Sequence, residues 1–222
     1  MSNRSFPTPR DVFTGMSFVA APLFLLAYGV IRLLDGLDGS RGPGVAWTTG
    51  HAAFLIGTSL FGVVILGLYR TVADRVTGLR LTAGASTVIA LLGTCATAGQ
   101  VVIDLVVGLR AADRPEMNEL FQQVQAYAGV KAAFYTVGPV LFYVGLLGLV
   151  VMHAVASPRK GGVWGPVAIV LGTALMAVDL DLIPVGAACY WFALAPAGWR
   201  LAQGDLADET SVTGGPDAPA LA

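Results

Sequence analysis

Long apolar stretches succeed one another along this chain and leave little sequence for anything else. Residues 13 to 34, 46 to 69, 81 to 109 and 130 to 156 each exceed the ~20 apolar residues that cross a bilayer as α-helix. A last block, 162 to 199, is long enough to cross twice. The chain of 222 residues is 55% hydrophobic and 12% charged, against about 25% charged in a soluble domain. The expected fold is an all-α integral membrane protein, a bundle of six transmembrane helices, or five if 162–199 is re-entrant. Arg4 and Arg10 precede the first span as in a signal peptide, but that span is long and no small-residue cleavage site follows it, so it is expected to stay.

With an inside N-terminus, eight basic residues fall on the cytoplasmic side (Arg4, Arg10, Arg70, Arg75, Arg80, Arg159, Lys160, Arg200) and five outside (Arg32, Arg41, Arg110, Arg114, Lys131). The positive-inside rule then sets both termini in the cytoplasm. Eleven arginines against two lysines match high-G+C bacterial genomes, so the expected location is a bacterial cytoplasmic membrane. The domain reading is a cytoplasmic segment 1–12, a transmembrane domain 13–200 and a disordered acidic tail 201–222. The net charge of −1 leaves no basic face for nucleic acid. The partners expected are membrane lipids, a lipophilic small molecule and, compatibly, further copies of the chain.

Between spans three and four, Asp113, Pro115 and Glu116 have the form of a helix start. Met117, Leu120, Phe121 and Val124 then recur at helical spacing against Gln122, Gln123 and Gln125, the pattern of a short helix lying in the interface. It either covers a cavity or serves as a solvated connector. Cys95 and Cys189 read as small packing residues inside spans.

Span three carries the clearest sign of a site. Ser86, Ala90, Gly93, Thr97, Gln100 and Asp104 follow at spacings of four, three, four, three and four, so they share one face. Asp104 lies six residues before Arg110, about 9 Å deep by helical rise. A carboxyl at that depth is expected to face the bundle interior. His51 with Thr58 on span two, Lys131 with Tyr135 and Phe142 on span four, and Asp179 on span five place polar groups at the same end, with Asp181 just beyond. Pro139 is expected to loosen span four. Arg32 and Asp35 suit an end-of-helix ion pair.

The assignments that follow are Asp104, His51 and Asp179 as catalytic groups, and Gln100, Thr97, Lys131, Tyr135, Asp181 and Phe142 as substrate contacts. Tyr190, Trp191 and Phe192 would add aromatic walls. No cofactor and no metal are assigned: His51 and His153 lie at opposite ends of their spans, and no His-x-x-x-His pair is present. The loop Asp35 to Arg41 has two aspartates, yet His51 to Tyr69 contains no acid, so paired aspartate motifs for a magnesium diphosphate are missing. What is left is metal-independent acid/base chemistry, such as cyclisation or isomerisation of an isoprenoid-like molecule. A small proton-linked transporter and a non-catalytic membrane subunit are the alternative classes.

Overall fold

The computed structural model describes residues 7–37, 39, 41–157 and 162–204. Arg4, Asp38, Arg159, Lys160 and the tail from residue 205 on lie outside the described residues. Those described form seven α-helices and no strand: α1 (Pro9–Asp35), α2 (Val45–Arg75), α3 (Arg80–Arg110), α4 (Arg114–Ala126), α5 (Gly138–Ala156), α6 (Trp164–Val178) and α7 (Ile183–Gln203). Five helical segments, those built on α1, α2, α3, α5 and α7, are long and apolar enough to cross a membrane. The sixth, α6, has 15 residues, about 22 Å at ~1.5 Å per residue.

Element boundaries follow local chemistry. Thr8 and Asp11 form a reciprocal capping box with Pro9 in the first turn, so α1 starts at Pro9 rather than at residue 13, and the segment 1–12 is partly helical. Asp113 caps α4 by accepting the Glu116 N–H at 2.9 Å. The Glu116 carboxylate reaches back to the N–H of Ala112 at 2.7 Å, one residue earlier than a capping box requires. Between α6 and α7 the Asp179 carboxylate accepts the Asp181 N–H at 2.8 Å, closing a single 3₁₀ turn, Leu180–Leu182. Pro184 sits in the first turn of α7, and Gly204, at φ 76°, ends it with the left-handed geometry glycine tolerates. Helix therefore continues to Gln203, past the expected start of the tail at 201.

Ahead of α5 the chain makes a π-helical turn, Lys131–Val137. Pro139 has no N–H to offer the Tyr135 carbonyl, so a regular α-helical bond is lost there and the wider turn takes its place.

The helices pack in a ring: α1 on α2, α2 on α3, α3 on α5, α5 on α6, α6 on α7, and α7 back on α1, with α2 also touching α5. Lipid offers apolar side chains no reason to leave it, so association depends on close packing, and small residues make that possible. On the α3–α5 seam a Cβ at Gly93 would strike the Phe142 backbone, and one at Gly145 would strike Ala90. Gly15 and Gly198 meet in the same way on the α1–α7 seam, and Gly172 and Gly186 on the α6–α7 seam. The ring has two ends, one carrying Asp104 and one carrying His153.

Three packing expectations are corrected. Cys95 is exposed on α3, because the buried stripe of that helix passes through Thr94 and Thr97 on its other side. Trp191 and Phe192 face outward, 43% and 61% exposed, while Tyr190 beside them is fully buried. Successive residues of a helix point about 100° apart, so three in a row cannot all line one cavity.

Candidate functional site

Asp104 is buried near the end of α3. Tyr135, in the π turn, donates its hydroxyl to Asp104 Oδ1 at 2.8 Å, and Gln100 stands one turn before Asp104 on the same face of α3. On the far side His51 Nε2 lies 3.9 Å from Oδ2. The backbone is held as well: Trp47 Nε1–H donates to the Asp104 carbonyl at 2.9 Å, and its indole fits only because residue 108 is glycine.

The His51 ring has a defined tautomer. Its Nδ1 lies 2.8 Å from the Trp47 carbonyl oxygen, which can only accept, so Nδ1 carries a proton. In the neutral ring Nε2 then presents a lone pair toward the Asp104 carboxyl. Tyr28 packs edge-on to the His51 ring with centroids 5.2 Å apart, and Trp47 covers it at 4.1 Å.

The ring encloses a cavity of ≈ 450 Å³, within the ~300–1,000 Å³ usual for small-molecule sites. Each helix of the ring contributes to it: Tyr28 from α1, Phe54, Thr58 and Phe61 from α2, Thr97 and Gln100 from α3, Phe142 and Tyr143 from α5, Met176 from α6, Tyr190 from α7, with Tyr135 from the π turn. Phe61 meets Phe142 edge-on at 5.3 Å and Tyr190 at 6.0 Å. The walls are thus mainly aromatic, with hydroxyls set among them. The Thr97 Oγ1 is buried and has no hydrogen-bond partner among the described residues, whereas the Tyr190 hydroxyl is paired with Thr173 at 2.7 Å.

Asp104 is not part of the wall. It lies one layer behind, reached through Tyr135 and Gln100, which are. Beyond it His51 borders a crevice of ≈ 10 Å³ shared with Tyr28, Arg32, Arg41 and Trp47, room for about one water. Polar side chains therefore run Tyr135, Asp104, His51 from the cavity to the Asp104 end of the ring.

The other sequence-assigned residues lie elsewhere. Asp179 is exposed and occupied with its turn, and among the described residues no three of His, Cys, Asp and Glu converge to hold a metal. Asp181 pairs with Arg41 through a single nitrogen shared between its two oxygens, 2.7 Å from Nη2 to each, and Arg32 Nε approaches it at 3.6 Å. Lys131 is exposed at the start of the π turn. Sequence spacing reports the depth of these residues and not which neighbour they meet. Tyr28, Trp47, Thr58 and Tyr143 were not assigned as site residues; their one signal is a polar or aromatic group at the right depth, which many positions in such a chain share.

α4 lies across the Asp104 end. Met117 is buried with Val107 and Ala111, and Trp47, Leu120, Phe121 and Val124 pack around them. Phe121 stands 6.1 Å from the Trp47 ring, so the helix backs the indole that holds Asp104. Gln122 and Gln123 are exposed on the opposite face.

No family model, curated protein or solved structure matches the chain.

Proposed function

We propose that this is a six-span protein of a bacterial cytoplasmic membrane, both termini cytoplasmic, that takes a lipophilic small molecule with one polar end into its central cavity and exchanges a proton with it. α6 completes the sixth crossing with the help of the turn beyond it, and α4 rests in the outer interface. The distribution of basic residues supports this orientation. The observation that carries the functional reading is Tyr135, which lines the cavity while its hydroxyl donates to a buried carboxyl.

Tyr135 is the catalytic residue of this reading, because it meets the substrate; Asp104 acts through it as a positioning residue. A proton leaving the substrate goes to the Tyr135 oxygen as the Tyr135 proton passes to Asp104. The reverse transfer places a proton at another carbon of the same substrate. One proton is taken and one returned, so the net change is an isomerisation without oxidant or reductant. Cyclisation runs the halves in the opposite order: an initially protonated Asp104 supplies, through Tyr135, the proton that adds to a double bond, and the ring-closed cation then loses a proton back to the same pair. The aromatic walls of Phe54, Phe61 and Phe142 face cationic character developing in an isoprenoid-like chain, and the Thr97 hydroxyl is placed to pair with the polar end.

The test is native mass spectrometry of the full chain released from nanodiscs, with chemical identification of what it retains, beside Tyr135→Phe and Asp104→Asn. The expected result is a specific lipophile that both variants still hold but no longer convert. If the native protein holds nothing, or the variants process the molecule at the native rate, the proposal fails. The run of Tyr135, Asp104 and His51 toward the crevice also favours a second reading, proton-linked transport. Proteoliposomes separate the two: a carrier moves the lipophile and protons together and returns the molecule unchanged.

A further inference from the structure

The polar groups in the wall of the central cavity form hydrogen bonds but carry no charge. Thr58, Thr97, Gln100 and Tyr143 line it among the aromatic rings, and no Asp, Glu, Lys, Arg or His does so among the described residues. Asp104 stands one layer behind, on the far side of the Tyr135 hydroxyl. A phosphate drawn into this wall would exchange its water for aromatic faces, which are themselves negative, and neutral hydrogen bonds return far less than that hydration is worth. An ammonium fares little better, because an aromatic face returns about 2 kcal/mol when desolvated, again far short of the lost water. Hydroxyl and amide groups offer both donors and acceptors, the set that suits an alcohol or a carbonyl.

The same wall has a mouth. Ala177, in the last turn of α6, and Leu180, in the 3₁₀ turn after it, line the cavity and are also exposed, as residues on a rim are. Pro139 and Tyr143 of α5 line it and are partly exposed. α5 and α6 are neighbours in the ring, yet no glycine draws them tightly together. Gly165, at the other end of α6, meets Val150 of α5 at an ordinary 3.6 Å, whereas the glycines of the α3–α5 and α6–α7 seams leave no room for a Cβ. The chain neighbours of the rim residues, Val140, Val144 and Val178, are exposed as well, so the gap is bordered by apolar side chains and faces hydrocarbon. At the aqueous end, the Arg41–Asp181 pair ties the α1–α2 connection to the turn after α6.

We infer that the central cavity takes its occupant as an uncharged lipophile, an alcohol or a carbonyl compound, and takes it sideways from the bilayer between α5 and α6. This rests on the reading of the cavity as a lipophile site and narrows it, since phosphorylated and cationic lipids are excluded as its substrates.

The experiment places the full chain in phosphatidylcholine nanodiscs with three probes that share one isoprenoid tail: farnesol, farnesyl phosphate and farnesyltrimethylammonium. Native mass spectrometry counts what the protein retains against the amount of each probe in the lipid. Farnesol should be held at least about tenfold more tightly than either charged probe. Ala177→Phe narrows the rim, and farnesol should then load and leave several-fold more slowly. Val170→Phe, on an exposed position of α6 outside the cavity lining, should leave both rates as they are. Should Ala177→Phe misfold, Leu180→Ala gives the second readout: it widens the rim, and both rates should rise. A charged probe held as tightly as farnesol overturns the inference and leaves the lipophile reading of the cavity standing. Native rates in the folded rim variants overturn the sideways route. If none of the three probes is retained, the lipophile reading itself falls and this inference with it.

Discussion

A single hydrogen bond between helices in a membrane contributes only about 0.6 kcal/mol on average, and this modest figure makes the Asp104 cluster open to test. Tyr135→Phe removes one such bond and little volume, so the protein should stay folded, with a melting temperature within a few degrees of native. Proton transfer by a positioned group contributes about 10²–10⁴-fold, and turnover should fall by that order. A variant that melts normally and turns over normally would show that the Tyr135 hydroxyl has only a packing role. Thr97→Val is expected to act in the opposite direction. The buried hydroxyl lacks a partner among the described residues, a condition that costs about 1–3 kcal/mol, so its removal should leave stability level or raised while ligand retention drops. Asp104 itself was legible from sequence, since a carboxyl six residues inside an apolar helix has few reasons to be there. Tyr135 and His51 were legible as candidates to meet it, but so were Lys131 and Asp179, which do not; spacing could not choose among them, because the partner tyrosine lies 31 residues on in a π turn that apolar periodicity does not register.

Among the elements, glycine seams divide into those that matter and those that do not. Gly93 and Gly145 have no room for a Cβ, so Gly145→Ala should force α3 and α5 apart at a cost of about 1–3 kcal/mol. Gly62 on α2 has nothing within 4 Å of the added atom, and Gly62→Ala should be neutral or stabilising by up to about 1 kcal/mol. Thermal melts in one detergent compare the two. If both variants behave alike, the seams are looser than described. The α3 stripe was visible in the sequence because small residues at every turn leave a periodic trace. The start of α1 was equally visible, as Thr8 followed three residues later by Asp11, and went unread because the apolar run begins later. Pro139 was read as a point of weakness, whereas its effect falls on the turn before it.

At the scale of the molecule, the ring is fastened by contacts that no local pattern reveals. Arg41, between α1 and α2, and Asp181, between α6 and α7, are 140 residues apart and form a hydrogen-bonded ion pair. Arg32, expected to pair with Asp35, reaches toward the same carboxylate. Arg41→Asp and Asp181→Arg should each lower the melting temperature, and the double exchange should recover most of the loss. Recovery should shrink at high salt, since the pair is partly exposed. A double variant no better than the sum of the single ones would remove the pair from the account of closure. An all-helical chain with several membrane-length helices could be read from hydropathy; the order of helices around the ring could not, because it depends on which glycines meet.

That order has a bearing on how the cavity is first filled. Among the described helices α1 precedes the others in the chain and α7 follows them, and the two are neighbours in the ring. A bundle still lacking α7 would be a horseshoe, with the aromatic wall of the future cavity uncovered. On the function proposed above, a lipophilic molecule dissolved in the bilayer would take its place at that stage, and the finished ring would not have to open to admit it.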